Sequence, residues 1–457
     1  MFAFSGSQKI ILAYLAISFG IMISGADFSV IPASFFFVWL INLIYNVNDG
    51  FLIRHIFVLF YSLQYALGST LSYSFNTSDT YRMVVPANEY FSYAFPAILF
   101  LSLGLFYKTS KSNEDKAFSN VYSSLKNTKV NEKLLEKIMY ISLFVEILNI
   151  PFPEVFDFLR YIICSFKYAY VCYHIITKEK INYGILLIPI LTLIYKTLIT
   201  AMFHDLVTWF VFWGLSVCVR YKPSRRTIVT AGSCFIFSVL VLQLAKSSYR
   251  EKAWGLESGK QDIGIASFSE SITSETKDGG LSVEKLSESI VRINQGWILC
   301  RVMDFVPRYV DHEGLELFNK YIEAAFLPRA FAPNKLSAGD KDLFNKYTGL
   351  KLTSATSMGL GLVADAWISY GKEGGWLLLF IYGIFIGLTL KYAENLITKY
   401  PYVFFFLPVI YIYPIRPDCE TQTSLGHLVK TLFLITILAY RFFPKNKQSL
   451  NLANAVS

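Results

Sequence analysis

Apolar runs long enough to cross a bilayer follow one another along most of this chain, and they stop between Ala245 and Trp376. Runs of roughly 17–25 apolar residues match a hydrocarbon core about 30 Å thick. Inside such a core only helices and closed barrels satisfy every backbone N–H and C=O, and a barrel would show alternating segments of about ten residues instead. The chain therefore reads as an all-α polytopic membrane protein. Composition agrees: 54% of the 457 residues are hydrophobic and 16% charged, against about 45–50% and about 25% in soluble domains. Mean hydropathy is +0.43.

Twelve spans are expected, at 10–26, 29–46, 54–74, 90–107, 137–150, 157–177, 183–202, 205–220, 227–245, 375–392, 401–415 and 427–443. The span at 137–150 is short and stops at Pro151 and Pro153, where a helix breaks. Ser24-Gly25-Ala26 has the small residues of a signal-peptidase site, but a second apolar segment follows at once, which favours an uncleaved first helix. With the N-terminus in the cytoplasm, Lys108, Lys111, Lys116, Lys126, Lys129 and Lys133, then Lys178 and Lys180, Arg220 to Arg226, and Arg441, Lys445 and Lys447 all fall in inner loops or the tail. The positive-inside rule is met at nearly every turn. The net charge of +9 is thereby accounted for by topology, and a nucleic-acid partner is not expected. The resulting organisation is a bundle of about nine spans over 1–245, an external loop over 246–374, three spans over 375–443 and a cytoplasmic tail over 444–457.

The external loop has texture. Residues 256–282 are rich in Ser, Gly and acids and read as a flexible arm. Leu286, Ile290, Ile293 and Trp297 form one helical stripe within 283–306, which Pro307 should end. A second amphipathic segment covers 314–327. Helices of this kind lie on a membrane surface or cap a bundle. No internal repeat is evident, which disfavours inverted-repeat transporters.

Six cysteines include no CxxC, so no metal or redox site is expected; Cys300 and Cys419, both in outer loops, are the one pair placed for a disulfide. Gly255 to Lys260 lacks the spacing of a phosphate loop. Asp340-Lys-Asp342 is a DxD triplet, more often solvated charge than a metal site, and Asn76-Thr-Ser78 is a sequon of a kind common by chance.

Arginines on the side where topology disfavours them carry more information. Arg250 follows a membrane exit, and Arg292 sits on the first amphipathic helix, off its apolar stripe. Arg301 and Asp304 are spaced to pair, and Arg308 follows Pro307. Arg416 lies between two spans in Tyr-Pro-Ile-Arg-Pro-Asp-Cys-Glu, beside Asp418 and Glu420, with His427 one helix entrance away. Ionisable residues at the mouth of a bundle mark sites or pathways, and guanidinium matches phosphate in a bidentate way. The plainer alternatives are snorkelling or ion-paired arginines and a core histidine. Ser354 to Trp376 runs through small residues to Asp365 and a Gly-rich helix start, where a carboxylate accepts a proton, pairs with an arginine or caps a helix.

Four features together resemble the Wzy-type O-antigen/polysaccharide polymerases (oligosaccharide repeat unit polymerases): Ser-Tyr-Arg250; Arg292 followed by Pro307; Tyr321 through Leu-Pro-Arg329-Ala-Phe-Ala-Pro-Asn-Lys335; and Thr353 to Gly375 with Tyr370-Gly-Lys-Glu-Gly-Gly. Two departures stand out. Leu336 follows the lysine where the family has Pro, and Asp365 stands where Glu is more usual. The resemblance implies a glycosyltransferase class C-like fold and a bacterial inner-membrane enzyme. It would transfer a growing glycan from undecaprenyl pyrophosphate to the sugar end of a new lipid-linked unit, without a metal or other cofactor. It also implies lipids, a chain-length regulator and a flippase as partners. Arg250, Arg292, Arg329, Lys335 and Arg416 are then the pyrophosphate and glycan contacts, and Asp365, Glu420 and His427 the candidates for the acceptor proton. An O-antigen ligase differs only in its acceptor. A transporter or flippase of polysaccharide precursors predicts ionisable residues buried mid-span, where Arg160, Lys167 and Lys196 are the few seen.

Overall fold

A computed structural model describes residues 5–75, 81–107, 109, 132–148, 150, 152–153, 157–255, 262–277, 293–327, 332, 335–336, 341–352 and 358–445. Every regular element among them is helical. Six helices are long and apolar enough to cross a membrane: Gly6–Ser24, Ile31–Asp49, Tyr183–Thr200, Arg225–Lys246, Leu362–Lys399 and Thr421–Phe442. The helices in chain order are α1 (Gly6–Ser24), α2 (Ile31–Asn46), α3 (Ile53–Ser62), α4 (Gly68–Phe75), α5 (Ala87–Leu105), α6 (Glu132–Ile147), α7 (Asp157–Thr177), α8 (Tyr183–Thr200), α9 (His204–Tyr221) and α10 (Arg225–Ala253). They continue with α11 (Ile265–Lys277), α12 (Gly296–Phe305), α13 (Glu316–Phe326), α14 (Lys341–Thr348), α15 (Leu362–Lys399), α16 (Leu407–Tyr411) and α17 (Thr421–Phe442).

Local chemistry sets several of these ends. Ser5 and Gln8 form a reciprocal capping box on α1, and Gln8 Nε2 also donates to the Phe106 carbonyl at 2.7 Å, tying that end to α5. Gly25 ends α1 in the left-handed conformation. Asn182 and Ser224 cap α8 and α10 through their side chains.

The centre of the bundle is the crossing of α5 and α15. A Cβ on Gly104 would stand 2.2 Å from the Phe380 carbonyl oxygen, and one on Gly383 would stand 2.2 Å from that of Leu101. Only two hydrogens facing each other allow this approach. In an apolar surround such small-residue seams let dispersion hold helices together.

Several expectations change. The stretch 54–74 is α3 and α4 joined by a π-turn at Leu63–Leu67 rather than one regular helix. The stretch 401–415 is a 3₁₀ segment, Pro401–Phe406, followed by the short α16, because Pro401 and Pro408 interrupt continuous α hydrogen bonding. Within the expected arm, residues 265–277 are the helix α11, seated by Phe268 on Phe203, so apolar contact overrides the polar composition there. The helix expected to start at 375 starts at Leu362. Cys300 and Cys419 form no disulfide: both thiols are free and buried, Cys300 beside the Tyr73 hydroxyl and Cys419 on the Glu420 carbonyl. Arg308, not Arg301, pairs with Asp304. The expected stripe helix is described only from its later turns, with α12 ending at Phe305 before Pro307. The sequon, residues 283–292 and the DxD triplet's Asp340 lie outside the described residues.

Helix α15 contains one break. Gly371 has φ 66° and ψ −147°, and the helix resumes beyond it. The loop 311–314 fills the gap: the Glu313 and Gly314 amides donate to the Ile368 and Ser369 carbonyls at 3.0 and 2.9 Å, and the His312 ring lies against Gly371. The first turns of α15 are thus a short helix held from outside the bundle. Gly383→Leu should overpack the crossing and cost about 1–3 kcal/mol or more, read as a lower thermal unfolding midpoint in detergent. Gly232→Ala, where a Cβ meets nothing within 4 Å, should leave the midpoint unchanged.

Candidate functional site

Two polar clusters meet at one end of the bundle. This end gathers the close of α8, the start of α9, the close of α10 and the starts of α15 and α17. At the opposite end Arg54 pairs with Glu394, Arg220 donates to the Ile175 and Glu179 carbonyls, and Arg225 lies over Tyr45.

The inner cluster is built on Asp365. It lies in the first turn of α15, where the helix N-terminus favours negative charge, and it is 1% exposed. Tyr321 of α13 donates to Oδ1 at 2.9 Å, and Thr421, the first residue of α17, donates to Oδ2 at 2.5 Å. Burial, then the neighbouring Asp365, raises the Tyr321 phenol well above its ordinary range, so it stays protonated and remains the donor. Beside the carboxylate is a cavity of ≈ 20 Å³, lined in part by Tyr321, Phe344, Met358, Leu360 and Glu420. That volume admits a water molecule or one hydroxyl group.

The outer cluster is built on Arg416. Its two Nη atoms reach Asp205 at 3.4 Å and Asp418 at 3.3 Å, its guanidinium lies 5.3 Å from the Tyr413 ring centre, and His204 Nδ1 is 3.7 Å from Asp418. Burial pushes the Asp418 carboxyl up, but Arg416 and His204 outweigh it and hold it well below the usual carboxylate range. Four buried polar atoms here have no hydrogen-bond partner among the described residues: Arg416 Nε, Asp418 Oδ1, His204 Nε2 and Tyr65 Oη. Leaving such groups unmet costs about 1–3 kcal/mol each. The two clusters share the segment 416–421: Asp418 faces Arg416 while Glu420 faces the cavity. Gly359 and Gly361 let the chain before α15 press against this segment, since a Cβ on Gly361 would stand 2.7 Å from the Pro417 carbonyl oxygen.

Of the residues expected to act, Asp365, Glu420 and Arg416 come together. His427 does not join them; it is buried, with Nε2 2.7 Å from the Val409 carbonyl oxygen and its ring between Tyr413 and Tyr161. Lys335 caps the end of α13 through the Ala324 and Leu327 carbonyls, which a cation at a helix C-terminus favours. Arg250 reaches the Ala201 carbonyl and lies over Trp254, close to the α8–α9 turn. Arg292 and Arg329 lie outside the described residues. Sequence reasoning passed over Tyr321, Thr421, His204 and Tyr65. A tyrosine in an apolar stripe reads as core, and a threonine after a glutamate carries no spacing signal.

The helices and this site define the class first: an all-α protein with the make-up of a polytopic membrane protein and a polar site at one end of its bundle. Residues 1–407 match a family described as a domain of unknown function (DUF8712), and the chain belongs to that family. No curated protein and no solved structure matches it.

Tyr321→Phe should remove one of the two donors to Asp365 and cost about 1–3 kcal/mol, measured by thermal unfolding. Asp418 has a depressed folded-state pKa, so its contribution to stability is present above its unfolded value of about 3.9 and is lost as pH falls through the folded value. Asp418→Asn should therefore lower the unfolding midpoint by a similar amount from pH 5 to 8, and the gap to the parent should narrow below about pH 4.

Proposed function

We propose that this chain is a membrane-integral glycosyltransferase of the class C-like type that polymerises lipid-linked oligosaccharide repeat units. In this reading it crosses a bacterial inner membrane about twelve times, with both termini cytoplasmic and residues 246–374 outside. The observation that carries the reading is the shared segment 416–421, which puts a buried carboxylate with hydroxyl-sized space next to unmet polar atoms. The basic short connections at the other end of the bundle, with Lys178 and Lys180 and with Arg220, Lys222, Arg225 and Arg226, support the orientation.

The arrangement refines the expected role of Arg416. Two carboxylates already compensate its charge, which disfavours it as a pyrophosphate anchor. A mixed set of donors and acceptors (Arg416 Nε, Asp418 Oδ1, His204 Nε2, Tyr65 Oη) suits sugar hydroxyls instead. In the reaction the acceptor hydroxyl oxygen attacks the anomeric carbon of the donor glycan. The bond from that carbon to the lipid pyrophosphate breaks, the pyrophosphate leaves with the electron pair, and the hydroxyl proton passes to Asp365 or Glu420. Cations at the same end, Arg250 among them, would steady the leaving charge.

A second reading, a transporter or flippase of polysaccharide precursors, draws on one observation: Lys167 of α7 is wholly buried against Glu146 of α6 at 2.6 Å, and intramembrane ion pairs mark translocation paths. Cells carrying Asp365→Asn or Arg416→Ala, with protein levels matched, separate the two. The transferase reading expects long-chain surface glycan to fall by roughly 10²-fold or more, with single-repeat glycan still delivered. Loss of single-repeat glycan as well would favour transport, and unchanged chain length in both variants would defeat the transferase assignment.

A further inference from the structure

Helix α13 divides its surface into three arcs. With about 3.6 residues to a turn, Leu317, Phe318, Tyr321, Ala324 and Ala325 fall on one side, and all are buried. Glu316, Asn319, Lys320 and Glu323 fall on another side and are exposed. Between these two, Leu315, Ile322 and Phe326 share a third arc and are 55%, 49% and 53% exposed. Around the helix this third arc continues directly from Phe318 and Ala325, so the apolar side of α13 is wider than its protein contacts cover.

Single exposed apolar residues are ordinary, but an uncovered arc that extends a buried one needs an apolar neighbour. The place of α13 in the fold names that neighbour. Its covered arc lies against α17, and a Cβ on Gly426 would stand 3.7 Å from the Ala325 Cα. Further along α17, Phe433 and Ile437 recur on the same side as Gly426 and are 68% and 45% exposed. Helix α17 is long and apolar enough to cross a membrane, so that side faces hydrocarbon beyond the contact. The step from Gly426 to Phe433 is about 10 Å of helix, which puts α13 roughly two turns from the first lipid-facing ring. A stable protein interface takes about 20–30 residues a side, far more than this arc supplies, whereas a helix lying in the interface needs only an apolar side sunk about 5–10 Å into the headgroup and acyl-chain boundary.

We propose that α13 is seated in the membrane surface, with Leu315, Ile322 and Phe326 inserted among the lipids of the leaflet on the side of the site and the polar arc turned to water. The covered arc of the same helix carries Tyr321, which donates to Asp365. One short helix therefore touches the buried carboxylate, the bilayer and water at once. The lipid contact rests on α13 and α17 and is independent of the glycan-transfer reading.

The test uses the full-length protein in phosphatidylcholine nanodiscs, with the exposed Cys234 changed to Ser. Nitroxide labels are placed singly at Ile322→Cys and Phe326→Cys on the third arc, and at Asn319→Cys and Lys320→Cys on the polar arc. Electron paramagnetic resonance then reads collisions with oxygen, which concentrates in hydrocarbon, and with a water-soluble nickel chelate; protein with no introduced cysteine supplies the background. The ratio of oxygen to nickel collisions should be several-fold higher on the third arc than on the polar arc. Equal ratios at all four positions overturn the seating. Labels on the third arc shielded from both reagents also overturn it, since protein would then cover that arc. Where Ile322→Cys or Phe326→Cys lowers the unfolding midpoint, Leu315→Cys reads the same arc with the same two outcomes.

Discussion

The carboxylate of Asp365 holds the site together. Its two oxygens take hydrogen bonds from helices that are remote in sequence, α13 through Tyr321 and α17 through Thr421, while its own backbone opens α15. In an apolar surround a buried carboxylate is tolerated only when such donors are in place. The position of α13, outside the bundle, is therefore coupled to the chemistry of one side chain inside it. The same donors orient the carboxylate toward the adjoining cavity, where Glu420 is its neighbour.

That arrangement depends on backbone freedom elsewhere. The break at Gly371 separates the first turns of α15 from its long apolar remainder, and the loop at 311–314 accepts the severed helix end. The Gly104–Gly383 contact then fixes the long part against α5. One glycine lets the site segment be placed, and a pair of glycines gives it a rigid base. The Arg416 cluster sits on the next loop, where Pro414 and Pro417 keep the chain from continuing as helix.

Much of the architecture was legible because lipid leaves few options. Apolar runs marked most helices, and the amphipathic stripe over 314–327 became α13. Asp365, Glu420 and Arg416 were visible as charges at helix mouths. What misled was local: the Ser-rich stretch that holds α11, the proline-broken 401–415, and two cysteines whose like placement said nothing of their burial. His427 and Lys335 were chosen for their chemistry, but their partners are backbone carbonyls, which no side-chain pattern announces.

By itself the sequence determined that this chain is a helical, membrane-type protein with most of its ionisable residues kept to the ends of its apolar segments, since burying backbone and charge in hydrocarbon allows little else. Tertiary structure alone decided which charges answer one another. Arg416 meets Asp205 across 211 residues, and Tyr321 meets Asp365 across 44. Such pairings are set by how helices cross and where glycine permits close approach, and neither leaves a periodic trace in the chain.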